Sequence, residues 1–107
     1  MGMKVIYVAG PYRAQSEDEV FNNIVHAREV AVELWQAGWA VICPHTNSFF
    51  MGTRLGDDCF IEGDLEILSR CDAVYMMSNY EGSEGAKLEL AKAKELGLEI
   101  IFESGGL

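Results

Sequence analysis

The chain has 107 residues, half of them hydrophobic and 10% aromatic, with a formal net charge of −9. That is enough apolar material for a real core, and the length fits one domain over residues 1–107. The acidic balance repels nucleic-acid backbones and anionic membranes, which excludes both as partners, and any phosphate ligand needs a local cationic pocket.

Lys4 to Ala9 (KVIYVA) reads as a buried strand, apolar and β-branched. Ser16 opens a helix: Ser16-x-x-Glu19 is a capping box, and Glu17, Asp18 and Glu19 suit a helix N-terminus. Val20, Ile24, Ala27, Ala31 and Leu34 recur at helical spacing until Gly38. Trp39 to Cys43 (WAVIC) is a second short strand, stopped by Pro44. His45 to Gly56 reads as a loop, with Phe49, Phe50 and Met51 apolar within it and, with Phe60, candidates to wall a pocket. Asp57 or Asp58 caps a helix running to about Arg70. Ala73 to Met77 is a third strand and Asn79 to Gly85 a Gly-rich turn. Glu84 to Leu96 is a helix ended by Gly97, and Leu98 to Phe102 is the last strand before a frayed tail.

Strands that alternate with helices and are apolar throughout predict an α/β fold: a three-layer, doubly wound parallel sheet. Right-handed crossovers leave few topologies, and four strands in the order 2-1-3-4 is the one expected. Ligands of such sheets bind beyond the carboxyl ends of the strands, near the switch point between the first and third. The loops there are 10–16, 44–56 and 78–85.

Two carboxylates stand on the wrong faces. At about 100° per residue, Ala86, Leu90, Ala93 and Leu96 share the arc that packs on the sheet, and Glu89 points into it. In the preceding helix Phe60, Ile61, Leu68 and Cys71 form one arc, with Asp64 among them. A carboxylate on a packing face is costly unless paired, hydrogen-bonded or used. Either one alone is explained as well by a place at the border of the buried face. Two together, beside a Gly-rich turn at the binding edge, point to an acid and a nucleophile or base.

Gly10-Pro11-Tyr12-Arg13 follows the first strand, where doubly wound folds hold phosphate, yet neither GxGxxG nor a P-loop is present. Ser83-Glu84-Gly85 lies at the N-terminus of the last helix, which offers free N–H groups and a positive dipole end. Arg13 can add a bidentate charge and Ser83 a hydroxyl. A plain turn with a surface arginine and a serine helix cap is the competing explanation. His45 lies at the end of the second strand, in the right region for a ligand contact. His45, Asp57, Asp58, Glu62 and Asp64 lack HxxxH or HxH spacing, so no metal is expected. His26 reads as structural, and Leu88 with Ala91 as a second apolar strip suited to a subunit contact.

Three cysteines (Cys43, Cys59 and Cys71) and no CxxC point to free thiols in a reducing cytosol. The apolar run from Val5 to Ala9 is too short for a signal peptide, and no stretch approaches a membrane span. A domain this small buries only about two-thirds of its unfolded surface, so a homodimer or higher homo-oligomer is expected.

Three segments stand out together: Tyr7-Val8-Ala9-Gly10-Pro11-Tyr12-Arg13; Asp64-Leu65-Glu66-Ile67-Leu68 followed by Cys71-Asp72-Ala73-Val74; and Ser83-Glu84-Gly85-Ala86-Lys87-Leu88-Glu89. They resemble the nucleoside 2-deoxyribosyltransferase-like family, which includes 2'-deoxynucleoside 5'-phosphate N-hydrolases. They occur in the family's order and cover much of the chain. The resemblance implies that Glu89 is the nucleophile at the anomeric carbon, that Asp64 works with it near base and sugar, and that Tyr7 positions the pair. It further implies that Gly10 and Arg13, with Pro11 and Tyr12 between them, form a phosphate-binding loop. Ser83 matches a position that is an acid in transferases of unphosphorylated nucleosides and a serine in enzymes of 5'-monophosphates. A carboxylate repels phosphate, whereas a serine can donate to it. Pro11 stands where the nucleotide hydrolases can have a serine.

The expected activity is therefore cleavage of the N-glycosidic bond of a 2'-deoxynucleoside 5'-monophosphate, by hydrolysis or deoxyribosyl transfer, through a covalent glycosyl-glutamate and without a cofactor. The small-molecule partner is a nucleotide or nucleoside. A rival from another class is a non-catalytic nucleotide-binding or sensing module, which would keep Arg13 and Ser83 but not need Glu89. Cleavage of a ribosylated cofactor such as NAD is a third possibility that no nicotinamide signature supports.

Overall fold

The computed structural model describes residues 2–47 and 57–104. Its strands are β1 (Val5–Ala9), β2 (Ala40–Ile42), β3 (Ala73–Met76) and β4 (Glu99–Phe102). They form one parallel sheet in the order β2-β1-β3-β4. The helices are α1 (Glu17–Gln36), α2 (Pro44–Asn47), α3 (Asp57–Ser69) and α4 (Glu84–Leu96), with a 3-10 turn over Tyr80–Gly82. No helix among the described residues is long and apolar enough to cross a membrane.

Strand alternation sorts the side chains into two cores. Ile6 and Val8 of β1 pack with Ala73, Met77 and the buried face of α1, which is Ala27, Val30, Ala31 and Leu34. Tyr7 and Ala9 point the other way, with Val74, Met76, Leu68 of α3 and Ala86, Leu90 and Ala93 of α4. Tyr7 is the largest of the fully buried side chains, with no exposed surface.

Local chemistry sets the ends of these elements. The Ser16 side chain accepts the Glu19 N–H at 3.2 Å, and the first turn of α1 is acidic, as its sequence predicts. Ser83 does the same for α4, accepting the Ala86 N–H at 3.1 Å. Gly97 ends α4 in the left-handed region, at φ 73°, where a glycine avoids the Cβ penalty.

Two expectations are corrected. The segment after Pro44 begins as a helix, not a loop. Proline suits a first helical position, and the Thr46 and Asn47 N–H groups both donate to the Cys43 carbonyl at 3.1 Å. Leu96 is 43% exposed rather than on the packing face. The turn at Gly97 carries the chain back to the sheet, and Leu98 takes the apolar place against the core instead. Phe49, Phe50 and Met51, and the tail beyond Ser104, lie outside the described residues.

Candidate active site

β1 and β3 lie side by side and their following chains diverge, opening a cleft at the carboxyl edge of the sheet. A cavity of about 480 Å³ lies there, between the loop after β1, α2, α3 and the start of α4. It brings together Gly10, Tyr12, Arg13, His45, Asp64, Ser83, Gly85 and Glu89, all singled out from the sequence. Phe60, Ile61, Leu65 and Leu88 supply apolar wall. Phe60 lines the cavity, as expected of a pocket wall, and is half-buried. Ile61, expected with it on the packing arc of α3, is 40% exposed, because their part of the helix faces the cavity.

Glu89 extends from the flank of α4 that meets the sheet. The Tyr7 hydroxyl rises from β1 beneath it and donates a hydrogen bond to Glu89 Oε2. Burial pushes the Glu89 carboxyl up to about 7; the Tyr7 hydrogen bond opposes the rise, and the charge of Asp64 adds to it. Burial also pushes the Asp64 carboxyl up. The Tyr7 hydroxyl is driven far upward, first by burial and then by the Glu89 and Asp64 charges, so it remains a proton donor. A half-buried carboxyl raised to about 7, with a second carboxyl in the same cavity, can attack an electrophilic carbon or move a proton.

The Gly10–Arg13 loop is held from two helices. His45 Nε2 lies 2.8 Å from the Pro11 carbonyl, and Asn23 Nδ2 donates to the Tyr12 carbonyl at 3.2 Å. A carbonyl only accepts, so His45 carries its proton on Nε2. The residue is 5% exposed, with Nδ1 buried and without a hydrogen-bond partner among the described residues, and burial lowers its basicity. Tyr12 meets the same ring edge-on at 5.9 Å between centroids. His45 therefore commits its one N–H to loop shape and offers the cavity no donor. Gly10 is a glycine for packing: a Cβ there would lie 2.3 Å from Met77 Sδ.

Arg13 is exposed at the cavity wall. Opposite in chain order, Ser83 and Gly85 open α4, and the Ser83 oxygen that caps the helix leaves its O–H proton to donate. Glu84 at the rim is paired with Lys87 Nζ at 2.7 Å, which offsets its repulsion of an anion. Pro11 is not among the wall residues, but its carbonyl is the one His45 holds. Among the described residues no group of three or more His, Cys, Asp or Glu side chains is placed to hold a metal.

The sequence signals neither Asn23 nor the His45–Pro11 bond, and Glu103 falls in the segment expected to be a frayed tail. Glu103 instead accepts the Ser78 N–H at 2.7 Å and meets His26 Nε2 at 3.0 Å. No periodicity signals these pairs, because each joins residues far apart in the chain.

A family model described as Domain of unknown function (DUF4406) matches residues 4–102. No curated protein matches the chain. Among solved structures, a 2-desoxiribosyltransferase from Leishmania mexicana superposes with a TM-score of 0.64 at 19% identity, over 92% of this chain and 63% of that one. A 2-deoxyribosyltransferase from the psychrotolerant bacterium Bacillus psychrosaccharolyticus gives 0.64 at 22% identity, over 92% of this chain and 70% of that one. The chain thus spans a little under two-thirds of the first enzyme's length, and the likeness is one of fold.

Proposed function

The chain belongs to the DUF4406 family, and from that premise we propose that it cleaves the N-glycosidic bond of 2'-deoxynucleoside 5'-monophosphates, as an N-hydrolase or a deoxyribosyltransferase. The observation that carries this reading is the Tyr7–Glu89 hydrogen bond at the floor of a cavity that Asp64 shares. The named activity of the two structural neighbours supports it.

In the proposed reaction the ionised Glu89 attacks C1' of the deoxyribose. The C1'–N bond breaks with its electron pair going to the base, which takes up a proton, with Asp64 as the group placed to give it. The transition state is oxocarbenium-like, and the product is an ester between Glu89 and C1'. Water or a second base then attacks C1' and frees the Glu89 carboxylate, giving its surplus proton to Asp64. Tyr7 donates to the carboxylate and holds its orientation. Arg13 and Ser83 bind the 5'-phosphate, and the apolar wall of Phe60, Ile61, Leu65 and Leu88 takes the flat base.

The test is incubation of the chain with a panel of 2'-deoxynucleosides and their 5'-monophosphates, with and without a second base, following free base by chromatography. The monophosphates are expected to release base, and Glu89→Gln to slow release by at least about a thousandfold. Full activity in Glu89→Gln would sink the nucleophile assignment. Tight nucleotide binding without turnover, indifferent to Glu89→Ala, would make the protein a binding module instead.

A further inference from the structure

Glu103 follows the last residue of β4, and its side chain is 22% exposed. Its Oε1 accepts the Ser78 N–H at 2.7 Å. Both carboxylate oxygens lie near His26 Nε2, at 3.0 and 3.1 Å, and its own N–H donates to the Met76 carbonyl at 2.9 Å. A carboxylate only accepts, so Nε2 of His26 carries a proton toward it. One carboxylate thus ties α1, the end of β3 and the end of β4 together. Burial pushes the Glu103 carboxyl up, but the Ser78 and His26 bonds outweigh this and hold it below the usual carboxylate range, so it stays ionised and its hydrogen bonds are charge-assisted. Next to it, the Phe102 ring lies 5.8 Å from the Tyr80 ring. Two successive residues at the end of β4 therefore grip the loop that leaves β3.

That loop enters the cavity wall at Gly82, Ser83 and Glu84. The 3-10 turn between is closed by the Ser83 N–H on the Tyr80 carbonyl at 3.0 Å. A short stretch of chain runs from the Ser78 amide through this turn to Ser83. Glu103 does not line the cavity among the described residues. We propose that Glu103 is a positioning residue of the site, fixing through Ser78 the loop that presents Ser83 to the ligand's phosphate. The inference rests on the glycosyl-transfer reading of the cavity.

The experiment compares wild type, Glu103→Ala and Glu103→Gln in two readouts: kinetics with 2'-deoxynucleoside 5'-monophosphates, and residue-resolved amide hydrogen exchange. Glu103→Ala is expected to raise KM about tenfold with kcat within about twofold, and to speed exchange at Ser78 and in residues 80–86 by about tenfold while the β1 amides keep their protection. Glu103→Gln keeps an oxygen acceptor for Ser78 and is expected to restore most of both. Unchanged Ser78 exchange and KM in Glu103→Ala would overturn the proposal, as would a uniform loss of protection along the whole chain. If wild type turns over no substrate, the functional reading fails separately and exchange decides: local loss at 78–86 supports the positioning role, and its absence rejects it.

Discussion

Gly10 shows how one residue is fixed by a single neighbour. A Cβ at this position would meet Met77 Sδ, Cβ and Cγ at 2.3, 2.8 and 2.9 Å, and Met77 is fully buried. Gly10→Ala is therefore expected to cost about 1–3 kcal/mol through overpacking, read from the denaturation midpoint, with a smaller loss when Met77 is also Ala. An unchanged midpoint in the single variant would mean that the Met77 side chain yields freely. The inward direction of Glu89 and Asp64 was legible from 100° steps along their helices. Their partnership with Tyr7 was available only through the family resemblance. His45 was legible as a residue in the right region, but its bond to Pro11, 34 positions away, was not. Residue type says that a histidine can donate; only the fold says to what.

The elements reproduce their sequence signals where those signals are local. Caps, acidic first turns and apolar arcs mark α1 and α4 closely, because neighbours along the helix supply them. The first turn of α2 was missed, since four residues carry no periodicity. Ser83 caps helix α4, and the proposed function also makes it a phosphate donor; a substitution separates the two. Aspartate caps a helix as well as serine but repels a phosphate. Ser83→Asp is expected to leave stability within about 1 kcal/mol. It should also shift preference from 5'-monophosphates toward unphosphorylated nucleosides by about tenfold or more. Thermal unfolding and paired kcat/KM measurements check the two halves. A nucleotide preference that survives the change would remove Ser83 from phosphate binding.

On the scale of the molecule, the site carries a stability cost that depends on pH. The Glu89 carboxyl rises from 4.5 to about 7 on folding, so the folded chain holds a proton there that the unfolded chain has released. Its contribution to stability is fullest below 4.5 and is lost as pH rises toward 7, by roughly 3 kcal/mol at most. Glu89→Gln keeps the shape without the buried charge. It is expected to be more stable than wild type at pH 8 by about 1–3 kcal/mol, and equal to it near pH 4. Urea titrations at the two pH values check this, and a gap of the same size at both would deny the titration. Under the proposed function, that cost belongs to a carboxylate placed for chemistry rather than for packing.

The sequence by itself determined the sheet, its order and the edge at which the cavity opens. Apolar strands alternating with capped helices leave few right-handed windings. It also determined that two carboxylates face inward, because helical periodicity is a local property of the chain. Tertiary structure decided which groups meet: Tyr7 under Glu89, His45 on Pro11, Asn23 on Tyr12, and Glu103 between Ser78 and His26. Each pair spans at least 11 positions, and all but one span 25 or more. Such pairs exist only once the strands have aligned and the loops have closed, and no local pattern announces them.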